Sequence, residues 1–205
     1  NLIELIKSGC TTNVIYGGPR SEVEAELSGE FGIRSYVGAA IRAGDKYEND
    51  SILGTRDSHS LFYNFNDERG KERLKEAENF IKTYDNTFDG RVKAMVAPTQ
   101  SMTCTPEIMK LSRKLADKYG VRITIHAAED LTEVEGCARC YGKTPVELLS
   151  ENGMLGDDVI VAHCVYVTGH SQMFIKGEKD LELLSKTGTT VAHSPTPFAR
   201  VGQAF

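Results

Sequence analysis

The spacing between strand ends constrains this chain more than any other feature. Short runs rich in β-branched and small apolar residues end near positions 97, 126, 163 and 193, at intervals of 29, 37 and 30 residues. That interval is the length of a strand, a crossover helix and the loops that join parallel strands. The intervening segments carry helix signals. Thr105 stands as an N-cap with Pro106 in the first position, the stripe Ile108, Leu111, Leu115 and Tyr119 follows, and Gly120 stops it. Thr144-Pro-Val-Glu147 has capping-box spacing ahead of a helix that ends at Gly153, and residues 180–186 form a helix pattern closed by Gly188.

Upstream, residues 2–8 read as a helix ended by Gly9, 11–16 as a strand, 22–28 as a helix and 35–41 as a strand. Residues 42–70 are polar and glycine-containing, a long loop, and 71–84 are a helix with Leu74, Ala77, Ile81 and Tyr84 on one face. The count is six strands in a β-α alternation. A complete (β/α)8 barrel takes about 250 residues, so six of its eight units take roughly 190. The 205 residues fit an α/β chain holding the central six units of such a barrel, with the first and last strands missing. The chain starts at Asn1 inside an apolar helix pattern and stops at Phe205 just after a strand and turn, so it reads as an internal piece of a longer polypeptide. An open doubly wound sheet is the alternative. It calls for a glycine-rich turn after its first strand, of which Tyr16-Gly-Gly-Pro19 is a poor version.

Residues 122–130, R-I-T-I-H-A-A-E-D, then pose a problem. A buried strand ends in an imidazole, two methyl side chains and two carboxylates, which no core requires. His163 and His193 also sit at strand C-termini. In a parallel barrel those ends open on one face, where active sites of this fold lie. A lone strand-end histidine is ordinarily a hydrogen-bonded structural residue. Three at successive strand ends, one followed by Glu129, point to a metal-type site, since neutral imidazole binds zinc, iron or nickel. Ala127 and Ala128 leave room for a substrate.

Other classes are disfavoured. A net charge of −5 argues against a nucleic-acid or anionic-membrane surface. No apolar run approaches the roughly 18 residues needed to span a membrane, and there is no signal-peptide pattern. Five scattered cysteines, an odd number, read as reduced thiols of a cytoplasmic protein.

The blocks K-S-G-C-T-T at 7–12, A-P-T-Q-S-M-T-C-T-P-E at 97–107, H-A-A-E at 126–129, V-A-H-C at 161–164 and A-H-S-P at 192–195 resemble the amidohydrolase superfamily, in the branch of cytosine and guanine deaminases, adenosylhomocysteine deaminase and triazine hydrolases. The resemblance covers nearly the whole chain. It implies that His126 is a metal ligand, Glu129 the general acid/base that shuttles a proton to a ring nitrogen, and His163 the residue that polarises substrate or orients the attacking water. It implies that His193 and Ser194, with Thr99 and Gln100, line the substrate pocket. It also implies one divalent metal ion, zinc first and iron second, a small heterocyclic substrate and a homodimer. The family's first-strand H-x-H pair and eighth-strand aspartate are absent from these residues. Thr99 stands where many relatives carry a substrate-binding histidine, and the seventh-strand asparagine is missing. These departures put the substrate in doubt rather than the reaction class. The first expectation is a hydrolytic deaminase, the second a triazine-type dechlorinating or C–N hydrolase, and the third, of another class, a metal-free barrel remnant that only binds ligand.

Rival motifs are weaker. Cys137-Ala-Arg-Cys140 lacks the second pair of a structural zinc site, and the H-x-x-E spacing with no proline before the first cysteine departs from the zinc cytidine-type deaminase signature. The pair is expected to be buried thiols. Asp57-Ser58-His59-Ser60 has no nucleophile elbow to support a hydrolytic triad. Tyr47, Phe62, Tyr63 and Phe65 suit a lid or a dimer contact.

Overall fold

The computed structural model describes residues 2–45 and 64–200. The Asp57–Ser60 motif and three of the four aromatics, Tyr47, Phe62 and Tyr63, lie outside the described residues. In chain order the elements are α1 (Leu2–Lys7), β1 (Thr12–Ile15), α2 (Ser21–Phe31), β2 (Arg34–Ile41), β3 (Gly44–Asp45), β4 (Asn64–Phe65), α3 (Asp67–Tyr84) and α4 (Thr87–Gly90). They continue with β5 (Val92–Pro98), α5 (Pro106–Tyr119), β6 (Arg122–Ala127), α6 (Leu131–Tyr141), α7 (Pro145–Glu151), β7 (Val159–His163), α8 (Lys179–Thr187), β8 (Thr190–Ala192) and α9 (Pro195–Arg200).

Six of the strands form one sheet in the order β1-β2-β5-β6-β7-β8, every neighbouring pair parallel. Spatial order therefore follows chain order without a reversal. A doubly wound sheet has a switch point where the order turns back, so that alternative is excluded and the singly wound (β/α)8 pattern stands. The remaining two strands, β3 and β4, make a two-residue antiparallel pair that the sequence did not announce.

The strands read as apolar runs because both of their faces are covered. In β5 every residue but Lys93 is buried, and β6 buries Ile123, Thr124 and Ile125 in succession. The core joins these to Ile108, Met109 and Leu115 of α5, Ala77, Phe80 and Ile81 of α3, and Leu148 and Leu149 of α7. Burial falls toward the sheet edges: β1 alternates exposed and half-buried, and β8 is exposed throughout. No helix among the described residues is long and apolar enough to cross a membrane.

The caps explain most boundaries. Thr105 Oγ1 accepts from the Ile108 amide at 3.2 Å, and Thr144 with Glu147 closes a full capping box. One boundary differs from expectation by several residues. α3 starts at Asp67 rather than at residue 71, because Asn66 Oδ1 accepts from the Arg69 amide at 3.0 Å. Gly70, which reads as a loop residue, lies inside that helix, and a side chain is excluded there because a Cβ would come within 2.6 Å of Ile108 Cδ1. α6 and α9 were not foreseen as helices. Cys137 and Cys140 both ride on α6, and only Cys137 is buried; Cys140 is exposed, which corrects the expectation of two buried thiols.

β1 is held to the rest by an intimate backbone approach. A Cβ on Gly38 would overlap the Tyr16 carbonyl oxygen and come within 2.7 Å of Ala97 Cβ. Gly38→Ala should therefore destabilise the fold by about 1–3 kcal/mol, the usual range for overpacking. Chemical denaturation of the variant checks this, and unchanged stability would mean that the strand slides aside without loss.

Candidate active site

The C-terminal ends of β5, β6 and β7 place the chemistry-bearing residues together. His126 is the penultimate residue of β6. Its Nδ1 lies 2.8 Å from the Thr99 carbonyl oxygen. A carbonyl can only accept, so Nδ1 carries the proton and Nε2 keeps its lone pair free. Two rings pack against the imidazole: Tyr16 meets it edge-on at a centroid distance of 4.1 Å, and His163 stacks on it at 5.1 Å and 21°.

Just past His126 the chain turns sharply. Ala128 has φ 54°, and β7 exits the same way through His163 at φ 78° and Cys164 at φ 48°. Left-handed backbone at non-glycine residues is costly and persists where surrounding structure enforces it. Here the enforcement is visible, since the Val165 and Tyr166 amides both donate to the Ala128 carbonyl oxygen, at 3.0 and 2.9 Å. The turn delivers Glu129 to the rim. Gln100 Nε2 donates to Glu129 Oε2 at 2.7 Å, while Glu129 Oε1 stands 3.7 Å from His163 Nε2. His163 is packed edge-to-face against Phe198 of α9. Burial holds its imidazole below the ordinary range; Glu129 pulls it back up, and His126 and His193 push it further down. Its buried Nδ1 has no hydrogen-bond partner among the described residues.

The other expected residues are more peripheral. His193 lies just beyond β8 with Nδ1 3.5 Å from the His163 carbonyl oxygen, and its ring is exposed. Ser194 follows it, half-buried, at the entrance to α9. Thr99 is 5% exposed, with its hydroxyl engaged by the Ile41 carbonyl at 3.2 Å and by Thr103 Oγ1 at 2.5 Å. Its main contribution to the imidazoles comes from its backbone. A cleft of about 570 Å³ opens beside the site, lined by Tyr16, Arg42, Phe80 and Thr99 among others. It shares Tyr16 and Thr99 with the site but does not reach the imidazoles, so the hydrogen-bond geometry locates the chemistry better than the cavity does.

Sequence reasoning missed three residues here. Tyr16 gave no signal, because only the approach of β1 to β2 brings it onto His126. Ser101 and Glu133 form a buried pair: the Ser101 hydroxyl meets Glu133 Oε1, and Glu133 Oε2 accepts from the Glu129 amide at 2.8 Å. Asp130-x-x-Glu133 has capping-box spacing, and Asp130 does cap α6 by accepting from the Glu133 amide at 2.8 Å. That signal was available and pointed to the helix that was overlooked.

The donor set suits a metal in part. His126, its Nδ1–H committed to a carbonyl and its Nε2 open, is oriented as metal-ligating histidines are. Among the described residues no group of three His, Cys, Asp or Glu side chains stands close enough to hold an ion. His126 therefore fits one position of a ligand set.

Comparison with known proteins bears on the family and the fold. The profile of the amidohydrolase family matches residues 1–203. A 5-methylthioadenosine/S-adenosylhomocysteine deaminase from Thermococcus sibiricus is 32% identical over 200 residues, covering 98% of this chain and 40% of its own length. Among solved structures, guanine deaminase from C. acetobutylicum with guanine bound superposes with a TM-score of 0.76 at 21% identity, over 99% of this chain and 44% of that one. An adenosine deaminase from Xanthomonas campestris with bound zinc gives 0.72 at 21% identity, over 100% and 40%. At these identities the structural likeness speaks for the fold. The chain spans 40–44% of the length of each of these relatives.

Burial pushes the Glu133 carboxyl up to about 8, with Asp130 and Glu129 adding to the rise and Ser101 and the Glu129 amide opposing it. Cys164 also interacts with the Glu133 charge, and Cys137 lies against Ser101. A carboxyl whose folded pKa is raised binds its proton more tightly in the native state than in the unfolded one. Its contribution to stability is thus fully present below about pH 4.5 and is lost as pH rises through about 8. Glu133→Gln should flatten the fall in melting temperature between pH 6 and 9. An identical fall in both proteins would show that Glu133 is already ionised at pH 6.

Proposed function

The chain belongs to the amidohydrolase family, and from that premise we propose that it carries the catalytic end of a metal-dependent hydrolase that deaminates a nitrogen heterocycle. The observation that carries the reading is the position of Glu129. Its carboxylate hangs over the rim between Gln100 and His163, one turn of chain from the open Nε2 of His126. The name of the Thermococcus sibiricus relative supports a ring amino group as the leaving group in preference to chloride.

The residues divide the work. His126 would hold a divalent metal through Nε2, with zinc the first candidate because a related fold was crystallised with it. When bound, such an ion lowers the pKa of water and so provides a nucleophile near neutrality. Catalytic zinc takes at least three protein ligands, and His126 supplies one of them. Gln100 ties down Glu129 Oε2, which leaves Oε1 as the oxygen that accepts a proton from the attacking water and passes it to the neighbouring ring nitrogen. His163 faces that same oxygen, and its lowered pKa keeps it neutral at pH 7, a hydrogen-bonding partner for water or substrate rather than a competing acid. Phe198 walls off one side of the His163 ring. His193 and Ser194, with Thr99 and Gln100, would border the substrate.

Ammonia release from a panel of purines, pyrimidines, pterins and triazines tests the class. Release from aminated rings is the expected result; chloride release from halogenated triazines alone would favour the dechlorinating reading, and inertness toward the whole panel would favour a ligand-binding role. Glu129→Gln should lower turnover by about 10²–10⁴-fold, the range for loss of a general acid–base, with metal content nearly unchanged. Full activity in that variant would move the role elsewhere, with Asp130 next in reach. His126→Ala should behave in the opposite sense and lower metal content itself, read by elemental analysis. A chelator should abolish turnover, and added zinc should restore it.

A further inference from the structure

Three consecutive residues of the β5–α5 loop each grip one residue of the segment that carries the proposed chemistry. The Thr99 carbonyl oxygen accepts from His126 Nδ1 at 2.8 Å, Gln100 Nε2 donates to Glu129 Oε2 at 2.7 Å, and the Ser101 hydroxyl meets Glu133 Oε1. The first two grips fall on residues already given roles. The third falls on a side chain that touches no substrate space, since Glu133 is 0% exposed. Its other oxygen returns to the backbone of Glu129, whose amide donates to Oε2 at 2.8 Å. The Ala128–Glu129 turn, left-handed at Ala128, is thereby braced from below.

We propose that Glu133 is the positioning residue of this site, a buried strut that fixes the Glu129 backbone to the same loop that holds the Glu129 carboxylate and the His126 ring. This deepens the proposed function and rests on Glu129 as the proton-transfer group. Without the strut, Glu129 would be held by a single side-chain bond from Gln100 on an exposed rim. A displacement of about 1 Å at a reacting group is enough to slow a reaction on the order of 10²-fold.

The chemistry of the strut makes the test specific. The Ser101 hydroxyl donates to Oε1 of the ionised carboxyl; when Oε1 carries the proton the hydroxyl rotates to accept it, and in both states Oε2 accepts from the Glu129 amide. A glutamine amide reproduces the protonated pattern, NH₂ toward Ser101 and oxygen toward Glu129. Aspartate keeps the acid but is one methylene too short to span both partners. In the holoenzyme, Glu133→Asp and Glu133→Ala should lower kcat by roughly 10–100-fold, as loss of an outer-shell partner does, with KM within about twofold. Glu133→Gln should restore kcat to within about threefold of wild type. Independently of turnover, amide hydrogen exchange should show the Glu129 amide losing protection in the aspartate and alanine variants and keeping it in the glutamine variant.

A folded aspartate or alanine variant with wild-type kcat and a protected Glu129 amide would overturn the proposal. So would failure of both variants to fold, which would make Glu133 a purely structural group. Wild-type turnover in Glu129→Gln would instead remove the proton-transfer reading; the exchange measurement would then still decide whether Glu133 braces the turn.

Discussion

The 2.8 Å hydrogen bond from His126 Nδ1 to the Thr99 carbonyl oxygen ties adjacent parallel strands together at the rim where both of them end. It does two things at once. It continues the β5–β6 pairing past the last ladder bonds, where Gln100 bridges His126 and the His126 amide donates to Thr99 at 3.3 Å. It also chooses the imidazole tautomer, and with it the nitrogen that faces outward. With the plane of the ring set, Tyr16 packs on it edge-on and His163 stacks on it. A side-chain donor on a backbone acceptor in a partly buried site has no equivalent in water, which is why the arrangement is definite.

From that bond the rest of the rim follows in sequence. β6 leaves through Ala128, and the carbonyl oxygen of Ala128 collects the amides of Val165 and Tyr166, so the exit of β6 and the exit of β7 are one structure. His163 cannot shift without disturbing the turn that presents Glu129. The 3.7 Å between Glu129 Oε1 and His163 Nε2 is longer than a hydrogen bond, and it leaves the carboxylate oxygen available to a third group between them. Three of the left-handed non-glycine residues, Ala128, His163 and Cys164, stand at these strand ends; the others, Asn86, Phe88 and Asp89, lie at the short α4 turn ahead of β5, and the buried stretches of β5 and β6 are regular.

The barrel pattern has an energetic logic of its own. Parallel strands must be covered on both faces, and α3, α5 and α7 cover the central ones with Phe80, Met109 and Leu149. The N-caps at Asn66, Thr105, Asp130 and Thr144 sit at the starts of helices that follow loops, and each satisfies an amide that a helix start would otherwise leave bare. Asp180 shows the same economy in the interior: its carboxylate accepts from the Thr144 hydroxyl and the Thr168 amide, joining α7, the β7–α8 loop and α8 through one buried group.

The local code of the chain determined a good deal by itself. The six strands, the α/β alternation and the caps at Thr105 and Thr144 were legible because each depends on neighbours within a few positions: β-branched runs, a threonine three residues from an amide, a proline that cannot sit further in. The histidines at strand ends were legible for the same reason, since a strand's end is a local event and the parallel rule puts all such ends on one rim. Other features were set only by the tertiary structure. Gly70 reads as a loop residue until Ile108 is packed against it, and α3 consequently began later on paper than in space. Tyr16 belongs to the site only because Gly38 lets its backbone come close. The spacing Asp130-x-x-Glu133 marks a helix start, but the role of the Glu133 side chain depends on Ser101, 32 positions away in sequence. Which nitrogen of His126 is free, and which oxygen of Glu129, were likewise decided by Thr99 and Gln100, partners from a different strand end. Hydrogen bonds of this kind have no periodicity to betray them, because they are made between segments that meet only when the sheet has formed.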